Sequence, residues 1–218
     1  MKHIVAINAS PRSEWNTSTL VREAAKGAIS AGAEVEVIDL YQLEKYSGCM
    51  SCFGCKLPKS LGKCVYPDDL APVLEKIRNA DGLILGSPNY IGNVTAGFRA
   101  LFERLIFQYV TYKKEISNYN EHLIPVVFIM TSNASEEWYT PEGYGGLVTG
   151  YQQMLSNKIG PTKVLISADT LQVNHYEIYN WSQFDVEKKK LRHETVFPKE
   201  KEQAFSLGKE MVVNPWNK

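Results

Sequence analysis

The chain has 218 residues, of which 44% are hydrophobic and 22% charged, and these proportions are typical of a globular protein. Lys plus Arg equals Asp plus Glu, at 24 residues each, so the formal net charge is zero. Proteins that bind nucleic acids or anionic membrane surfaces usually carry a basic excess. We therefore expect neither nucleic acid nor a membrane as a partner.

The hydropathy pattern favours a cytoplasmic protein. The strongest apolar run, from Ile124 to Met130, is far shorter than the roughly 18 residues that a transmembrane helix requires. The first residues, Met1 to Asn8, become polar at once and do not resemble a signal peptide. Cytoplasmic localisation is the expectation that follows.

Short apolar runs rich in β-branched residues alternate along the chain with helical patterns. Runs of this kind, apolar on both faces, are typical of strands in a parallel sheet that helices cover on each side. The five runs are residues 4–7, 35–38, 82–85, 126–129 and 163–166. The alternation predicts an α/β fold, with a doubly wound five-stranded parallel sheet and right-handed crossovers.

Amphipathic stripes predict the helices between these strands. One stripe follows the pair Asp68–Asp69, a second follows Thr95, and a final helix is expected near Glu200 to Val213. Neither repeats nor a low-complexity linker interrupt the chain, so we predict one domain over residues 1–218.

Two segments depart from the alternation. A cysteine loop over residues 48–66 separates the second strand from the following helix. An irregular elaboration is predicted over residues 169–198, near the site or at a subunit contact. Within it, the basic run Lys188–Lys190 is flanked by Glu187 and Glu194, which favours a solvated face.

The loop after the first strand carries anion-binding chemistry. Residues 8–20 read NASPRSEWNTSTL and contain no glycine, so neither a Walker loop nor a Gly-x-Gly-x-x-Gly motif is present. The hydroxyls of Ser10, Thr17 and Ser18, the Arg12 guanidinium and a helix N-terminus would together favour a phosphate. The alternative is a helix cap at Asn16 or Thr17, with Arg12 free in solvent.

The loop after the third strand could hold an aromatic ring. Pro88 and Gly92 favour an ordered turn, and Tyr90 beside Ile91 would form a flat apolar wall. The amides of Asn89 and Asn93 could bond the polar edge of such a ring. The alternative is an ordinary loop with a core tyrosine. Residues 131–133, after the fourth strand, are a third candidate wall.

All four cysteines lie in the loop between the second strand and the second helix. Cys49, Cys52 and Cys55 follow one another at two-residue intervals, and Cys64 comes later. This spacing is typical of [4Fe–4S] ligation, while tetrahedral zinc, a redox-active dithiol or four uncoordinated thiols remain alternatives. The four histidines show no metalloprotease spacing, and Gly-x-Ser-x-Gly is absent.

Two loops resemble those of the NAD(P)H-dependent FMN reductase branch of the flavodoxin-like proteins. Residues 10–17 match its Ser-Pro-Arg-x-x-x-Asn-Thr phosphate loop, and residues 88–92 match its Pro-x-Tyr-x-Gly segment. The resemblance covers about residues 1–135 and a shorter stretch at 204–211. It implies a flavodoxin-like fold with bound FMN. The implied phosphate contacts are Ser10, Arg12, Asn16, Thr17 and Ser18, and the implied ring contacts are Pro88, Asn89, Tyr90, Ile91, Gly92 and Asn93.

The cysteine loop resembles that of the iron-sulfur flavoproteins, where a compact four-cysteine motif precedes an Asp-Asp helix start. Residues 62–70, GKCVYPDDL, fit that context. The segment 56–63 between Cys55 and Cys64 is slightly longer than that family usually shows. The resemblance implies that Cys49, Cys52, Cys55 and Cys64 hold a [4Fe–4S] cluster.

These observations predict an FMN-binding oxidoreductase of the NAD(P)H-dependent FMN or quinone reductase type. In flavin enzymes the cofactor carries out the redox step, so we predict no catalytic acid–base side chain. One alternative is an iron-sulfur flavoprotein that carries electrons without direct NAD(P)H activity, and another is a zinc-stabilised interaction module. The expected partners are flavin, a pyridine nucleotide and a small-molecule or protein electron acceptor.

The aromatic residues of the third helix and its exit bear on assembly. This region contains more aromatic residues than one core-facing stripe requires, namely Phe102, Phe107, Tyr109 and Tyr112. A flavin ring would also stay open on one side in a single subunit. We therefore predict a homodimer or homotetramer that covers the ring.

Overall fold

A five-stranded, entirely parallel sheet organises the molecule, which a computed structural model describes over residues 1–216. The strand order is β2-β1-β3-β4-β5. The strands are β1 (His3–Asn8), β2 (Glu34–Asp39), β3 (Gly82–Pro88), β4 (Val126–Thr131) and β5 (Thr162–Ser167). This order is that of the flavodoxin-like folds, so the predicted fold class is confirmed, as is each of the five strand positions.

Helices cover both faces of the sheet. They are α1 (Asn16–Ser30), α2 (Leu70–Arg78), α3 (Ala96–Phe107), α4 (Tyr144–Lys158), α5 (Val186–Thr195) and α6 (Phe197–Val213). Side chains of α2, α3 and α4 share one hydrophobic core with the sheet, and those of α1 and α6 share the other. No helix within residues 1–216 has the length and apolar character needed to cross a membrane.

The segment after β5 is more ordered than the sequence indicated. The prediction of irregular structure over 169–198 is wrong for Val186–Thr195, which form α5, and α6 already begins at Phe197. Asp185 initiates α5 because its side chain accepts a hydrogen bond from the Lys188 backbone N–H, at 3.0 Å.

The basic run on α5 is not a uniformly solvated face. Lys189 is buried, with its Nζ 2.6 Å from Asp169 Oδ1, whereas Lys188 and Lys190 are exposed. A buried lysine is tolerated because the paired carboxylate offsets its lost hydration. The difference between Lys189 and its two neighbours could not be predicted from the flanking glutamates, because the balance of charges along the sequence does not show which face of the helix a residue occupies.

The aromatic residues of α3 and its exit are divided between core and surface. Phe102 and Tyr109 are buried in the core that α3 shares with the sheet, so these two rings need no subunit contact to explain them. Tyr112 is exposed, and Phe107 packs edge-on against Phe53 of the cysteine loop, with ring centroids 5.8 Å apart. The aromatic content of this region is therefore weak support for an oligomer.

Helices α1 and α6 pack so closely that a methyl group does not fit between them. A Cβ atom at Gly208 would lie 1.8 Å from the Ala24 carbonyl oxygen, and one at Gly27 would lie 1.9 Å from that of Phe205. Glycine at these positions is therefore a packing requirement.

We predict that Gly208→Ala lowers the free energy of unfolding by about 1–3 kcal/mol, because overpacking forces the two helices apart. Gly150→Ala in α4 is the matched control, since its Cβ would meet no atom within 4 Å. The control should raise stability by about 0.5–1 kcal/mol through helix propensity. Urea denaturation measures both changes, and a Gly208→Ala variant as stable as wild type would contradict the prediction.

Candidate functional site

A cleft lies at the carboxyl edge of the sheet, where β1 and β3 send their connections in opposite directions. In open α/β sheets this switch point is the usual ligand site. The cleft has a volume of about 300 Å³. It is lined by Ser10, Arg12, Trp15, Asn16, Thr17, Pro88, Asn89, Tyr90, Ile91, Thr131, Ser132, Asn133, Thr170 and Gln172. The two loops predicted from the sequence therefore meet at one place.

The N-terminus of α1 is left open toward an anion. Its N-cap residue, Trp15, makes no side-chain hydrogen bond to the helix, and the first turn contains no acidic residue. The Asn16 side chain instead donates to the Leu171 carbonyl at 2.9 Å, and Thr17 Oγ1 lies 2.6 Å from Thr131 Oγ1. Since neither residue caps the helix, the first backbone N–H groups of α1 are available to a phosphate.

Arg12 is held at the cleft rather than free in solvent. Its Nη1 donates to the Gln172 carbonyl at 2.8 Å, and its guanidinium lies 4.0 Å from the centre of the Trp15 ring. Ser10 Oγ accepts a hydrogen bond from the Arg12 backbone N–H at 3.1 Å. Burial lowers the pKa of Arg12 from its ordinary value, yet an arginine remains charged at physiological pH.

Ser18 is the one predicted phosphate residue whose side chain does not line the cleft. Its hydroxyl donates to the Ser13 carbonyl and accepts from Arg22 Nε at 3.2 Å. The side chain therefore ties the loop to α1.

The ring-binding candidate loop makes a tight turn at Ile91–Gly92. The backbones of Tyr90 and Asn93 exchange hydrogen bonds of 2.7 and 3.1 Å. Ile91 and Gly92 have φ angles of 51° and 74°, which correspond to a type I′ turn. Pro88, Asn89, Tyr90 and Ile91 line the cleft. Burial raises the pKa of the Tyr90 hydroxyl, which keeps its proton at neutral pH.

Gly92 and Asn93 face away from the cleft lining. A Cβ at Gly92 would meet the Tyr144 ring at 3.2 Å. Asn93 Oδ1 accepts a hydrogen bond from the Tyr151 hydroxyl at 2.9 Å and another from Val94 N–H. Both residues therefore support the turn from behind.

The third wall of the cleft contains an unpaired buried acceptor. Among the described residues, Asn133 Oδ1 is the buried side-chain polar atom that has no hydrogen-bond partner. The Asn133 backbone is held in place, because Lys189 Nζ donates to its carbonyl at 3.1 Å. A buried acceptor without a donor is costly, and a ligand N–H or O–H in the cleft would satisfy it.

Sequence reasoning missed three lining residues. Trp15 lies within the first loop, and Thr170 and Gln172 follow β5. The rule that ligands bind beyond the carboxyl ends of parallel strands would have indicated the last two had it been applied to the fifth strand.

The four cysteines line a second, much smaller cavity, of about 20 Å³, between the cysteine loop and α3. The thiols form no disulfide. Cys55 is buried and Cys52 exposed, with Cys49 and Cys64 between these extremes. Burial raises the pKa of the Cys55 thiol, against the attraction of the Lys56 ammonium.

The four cysteines supply the thiolate donors that a [4Fe–4S] cluster or a zinc ion would take. Within residues 1–216, no three His, Cys, Asp or Glu side chains converge on a point that could hold a metal ion. A tetrahedral zinc ion requires such convergence, with Zn–S distances of about 2.3 Å. A [4Fe–4S] cube takes each thiolate on a different iron, and the four cysteines that would supply these thiolates line one cavity.

The wall of this cavity carries a buried charge. Arg104 of α3 forms hydrogen bonds with both carboxylate oxygens of Asp68, at 2.5 and 2.6 Å. Burial disfavours the charged guanidinium, but the bonds to Asp68 and Cys64 raise the pKa of Arg104 above its ordinary value. A permanent positive charge therefore borders the thiols.

Comparison with known proteins identifies a family and several relatives. The family model described as NADPH-dependent FMN reductase matches residues 2–135. An iron-sulfur flavoprotein of Methanocaldococcus jannaschii is 43% identical over 101 residues, which are 46% of this chain and 50% of that protein. One from Archaeoglobus fulgidus is 36% identical over 103 residues, 46% of this chain and 47% of its own. The chain thus spans about half the length of the curated relatives it matches.

Solved structures share the fold over nearly the whole chain. An NAD(P)H:quinone oxidoreductase from Methanothermobacter marburgensis has a TM-score of 0.71 at 16% identity, covering 96% of this chain and 98% of that one. An azoreductase from Bacillus anthracis has a TM-score of 0.63 at 13% identity, covering 96% and 100%. Such low identities establish a common fold, whereas the family match over residues 2–135 is one of sequence. The chain belongs to the NADPH-dependent FMN reductase family.

Proposed function

We propose that the chain is an FMN-binding oxidoreductase that takes its reducing equivalents from NAD(P)H, of the FMN or quinone reductase type. The observation that carries the proposal is the cleft at the switch point, with an uncapped helix N-terminus on one wall and the unpaired Asn133 Oδ1 on another. When bound there, FMN supplies a ring that accepts hydride and passes electrons on.

The proposed phosphate site combines backbone and side-chain donors. The first N–H groups of α1 bind the phosphate dianion, and Arg12 adds a positive charge beside them. Ser10, Asn16 and Thr17 complete the lining, while Ser18 acts indirectly by tying the loop to α1. The contacts of Asn16 with Leu171 and of Thr17 with Thr131 hold this loop in one conformation before the ligand arrives.

The proposed ring site lies between the loops after β3 and β4. Pro88 to Ile91 supply the apolar wall, and Asn133 Oδ1 accepts from a donor on the ligand. Ile91 is fully exposed at the lip of the cleft, with a relative accessibility of 106%. A homodimer or homotetramer that covers this lip remains part of the proposal.

A [4Fe–4S] cluster on Cys49, Cys52, Cys55 and Cys64 is the second part of the proposal. Its support is that the four cysteines line a single cavity. The second candidate function, an iron-sulfur electron carrier without NAD(P)H activity, rests on the same observation. The zinc-stabilised module is less well supported, because such a module would leave the anion-binding cleft beyond β1 and β3 without a role. The acceptor would be a small molecule or a protein.

The phosphate site predicts that charge reversal discriminates between two flavins. Arg12→Glu should raise the Kd of FMN by about 10- to 100-fold, since a charge-assisted bond contributes about 1.5–3 kcal/mol. Riboflavin lacks the phosphate and should lose far less affinity. Fluorescence titration measures both, and Arg12→Lys, which keeps the charge, should lose less than Arg12→Glu. Equal losses for the two flavins would remove Arg12 from the phosphate site.

The unpaired acceptor predicts opposite effects on stability and on binding. Asn133→Leu should leave the free energy of unfolding of the FMN-free protein unchanged or raise it by about 1 kcal/mol, because a buried acceptor without a partner is removed. The same change should raise the Kd of FMN about 10-fold. Denaturation and titration test the pair of effects, and a parallel loss of stability and affinity would indicate a purely structural role.

The cysteine cavity predicts cluster uptake. After anaerobic reconstitution with iron and sulfide, wild type should hold about four irons and four sulfides per chain, as one [4Fe–4S] cluster requires. Cys52→Ser should hold less of both, with FMN content unchanged. Equal iron in the two proteins, with FMN bound in both, would refute the cluster and leave the FMN reductase proposal intact.

A further inference from the structure

Arg104 is the largest fully buried side chain in the part of the chain that the structure describes. The side chains of Arg104 and Asp68 are 1% and 6% exposed. A buried ion pair gains little net stability, because the desolvation of both charges offsets their attraction. The other hydrogen bonds of Arg104 indicate a role beyond this ion pair.

The remaining donors of Arg104 reach the two ends of the cysteine loop. Nη2 donates to the Tyr66 carbonyl at 2.9 Å, and Nη1 lies 3.5 Å from the Ser47 carbonyl. One side chain of α3 thus joins the residue that directly precedes the loop 48–66 to the last residue of that loop.

The Nε–H group of Arg104 points at a cysteine. Arg104 Nε donates to Cys64 Sγ at 3.4 Å, and Gln108, directly after α3, accepts from the Cys64 backbone N–H at 3.0 Å. Cys49 is held by its backbone alone, through Glu103 at 3.2 Å. Cys64 is therefore the cysteine that α3 and its C-cap residue hold both by its backbone and by its sulfur.

We propose that Arg104 is a positioning residue of the cysteine site, which orients Cys64 as a ligand and, through its N–H···S bond, stabilises the negative charge added when a bound cluster is reduced. The inference rests on the proposed function in that it requires a [4Fe–4S] cluster on the four cysteines. Hydrogen bonds to ligating sulfurs and charges near them are general determinants of cluster potential. The guanidinium, which is itself shielded from water, contributes both.

The measurable consequence is a change in midpoint potential. One electron from dithionite enters the cluster and no bond is broken, so the added charge resides on iron and sulfur. Arg104→Lys keeps a cation but loses the Nε donor and the planar geometry that clamps the loop. The cluster of this variant should therefore have a lower midpoint potential than that of wild type, with a changed EPR spectrum in the reduced state.

The experiment is an anaerobic redox titration of reconstituted protein, followed by visible absorbance and EPR, with iron and sulfide measured in the same samples. Arg78→Lys is the matched control, since Arg78 is an arginine of α2 that pairs with Glu75 on the surface. The control should keep the wild-type potential. If Arg104 had a structural role alone, Arg104→Lys would alter the iron content or the stability of the protein without shifting the midpoint potential of the clusters that form.

A second variant keeps the inference testable if Arg104→Lys does not fold. The double variant Asp68→Asn, Arg104→Met neutralises both partners at once and leaves no lone buried charge. Because it also lacks the donor to Cys64, its potential should again be lower. Circular dichroism and FMN binding report whether each variant is folded.

Three outcomes distinguish the inferred role of Arg104 from the proposed cluster on which it rests. A lower potential in fully loaded Arg104→Lys, with Arg78→Lys unchanged, supports the inference. Full loading with an unchanged potential in Arg104→Lys overturns it and leaves the cluster in place. A wild type that takes up no more iron than Cys52→Ser overturns the cluster assignment, and the role of Arg104 with it.

Discussion

The direction of the strands is the constraint on which the rest of this structure depends. Because all five strands are parallel, their carboxyl ends meet at one edge of the sheet. The strand register also aligns the ends of three strands, since Pro88 of β3 pairs with Thr131 of β4, and Thr131 pairs with Ser167 of β5. The loops that follow these strands start at the same level. Polar residues far apart in the chain therefore line one cleft.

The part of the chain beyond the family match completes that cleft. The carbonyls of Leu171 and Gln172 accept hydrogen bonds from the first loop, and Lys189 of α5 holds the Asn133 backbone. These contacts fix two walls of the site before any ligand is present. A preorganised site spends less of its binding energy on ordering loops. The residues after position 135 thus belong to the proposed function as well as to the fold.

Helix α3 connects the two sites. At its start, Thr95 caps the helix by accepting from Phe98 N–H and donates to the Ala9 carbonyl behind the first loop. Arg104 in its last turns and Gln108 directly after it border the cysteines. Twelve residues form a rod of about 18 Å. The cleft and the cysteine cavity are therefore positioned by opposite ends of one rigid element.

Periodicity and loop chemistry were sufficient to determine the sheet, the loops at residues 10–18 and 88–93, and the cysteine loop, because strands and turns leave local patterns. Which side chains line the cleft was decided by tertiary structure: Ser18 binds back to its own loop, and Asn93 supports Tyr151. The burial of Lys189 and the clamp of Arg104 on residues 47–66 were likewise undetectable from the sequence. They are contacts between residues distant in the chain, and local charge or hydropathy patterns carry no information about such pairs.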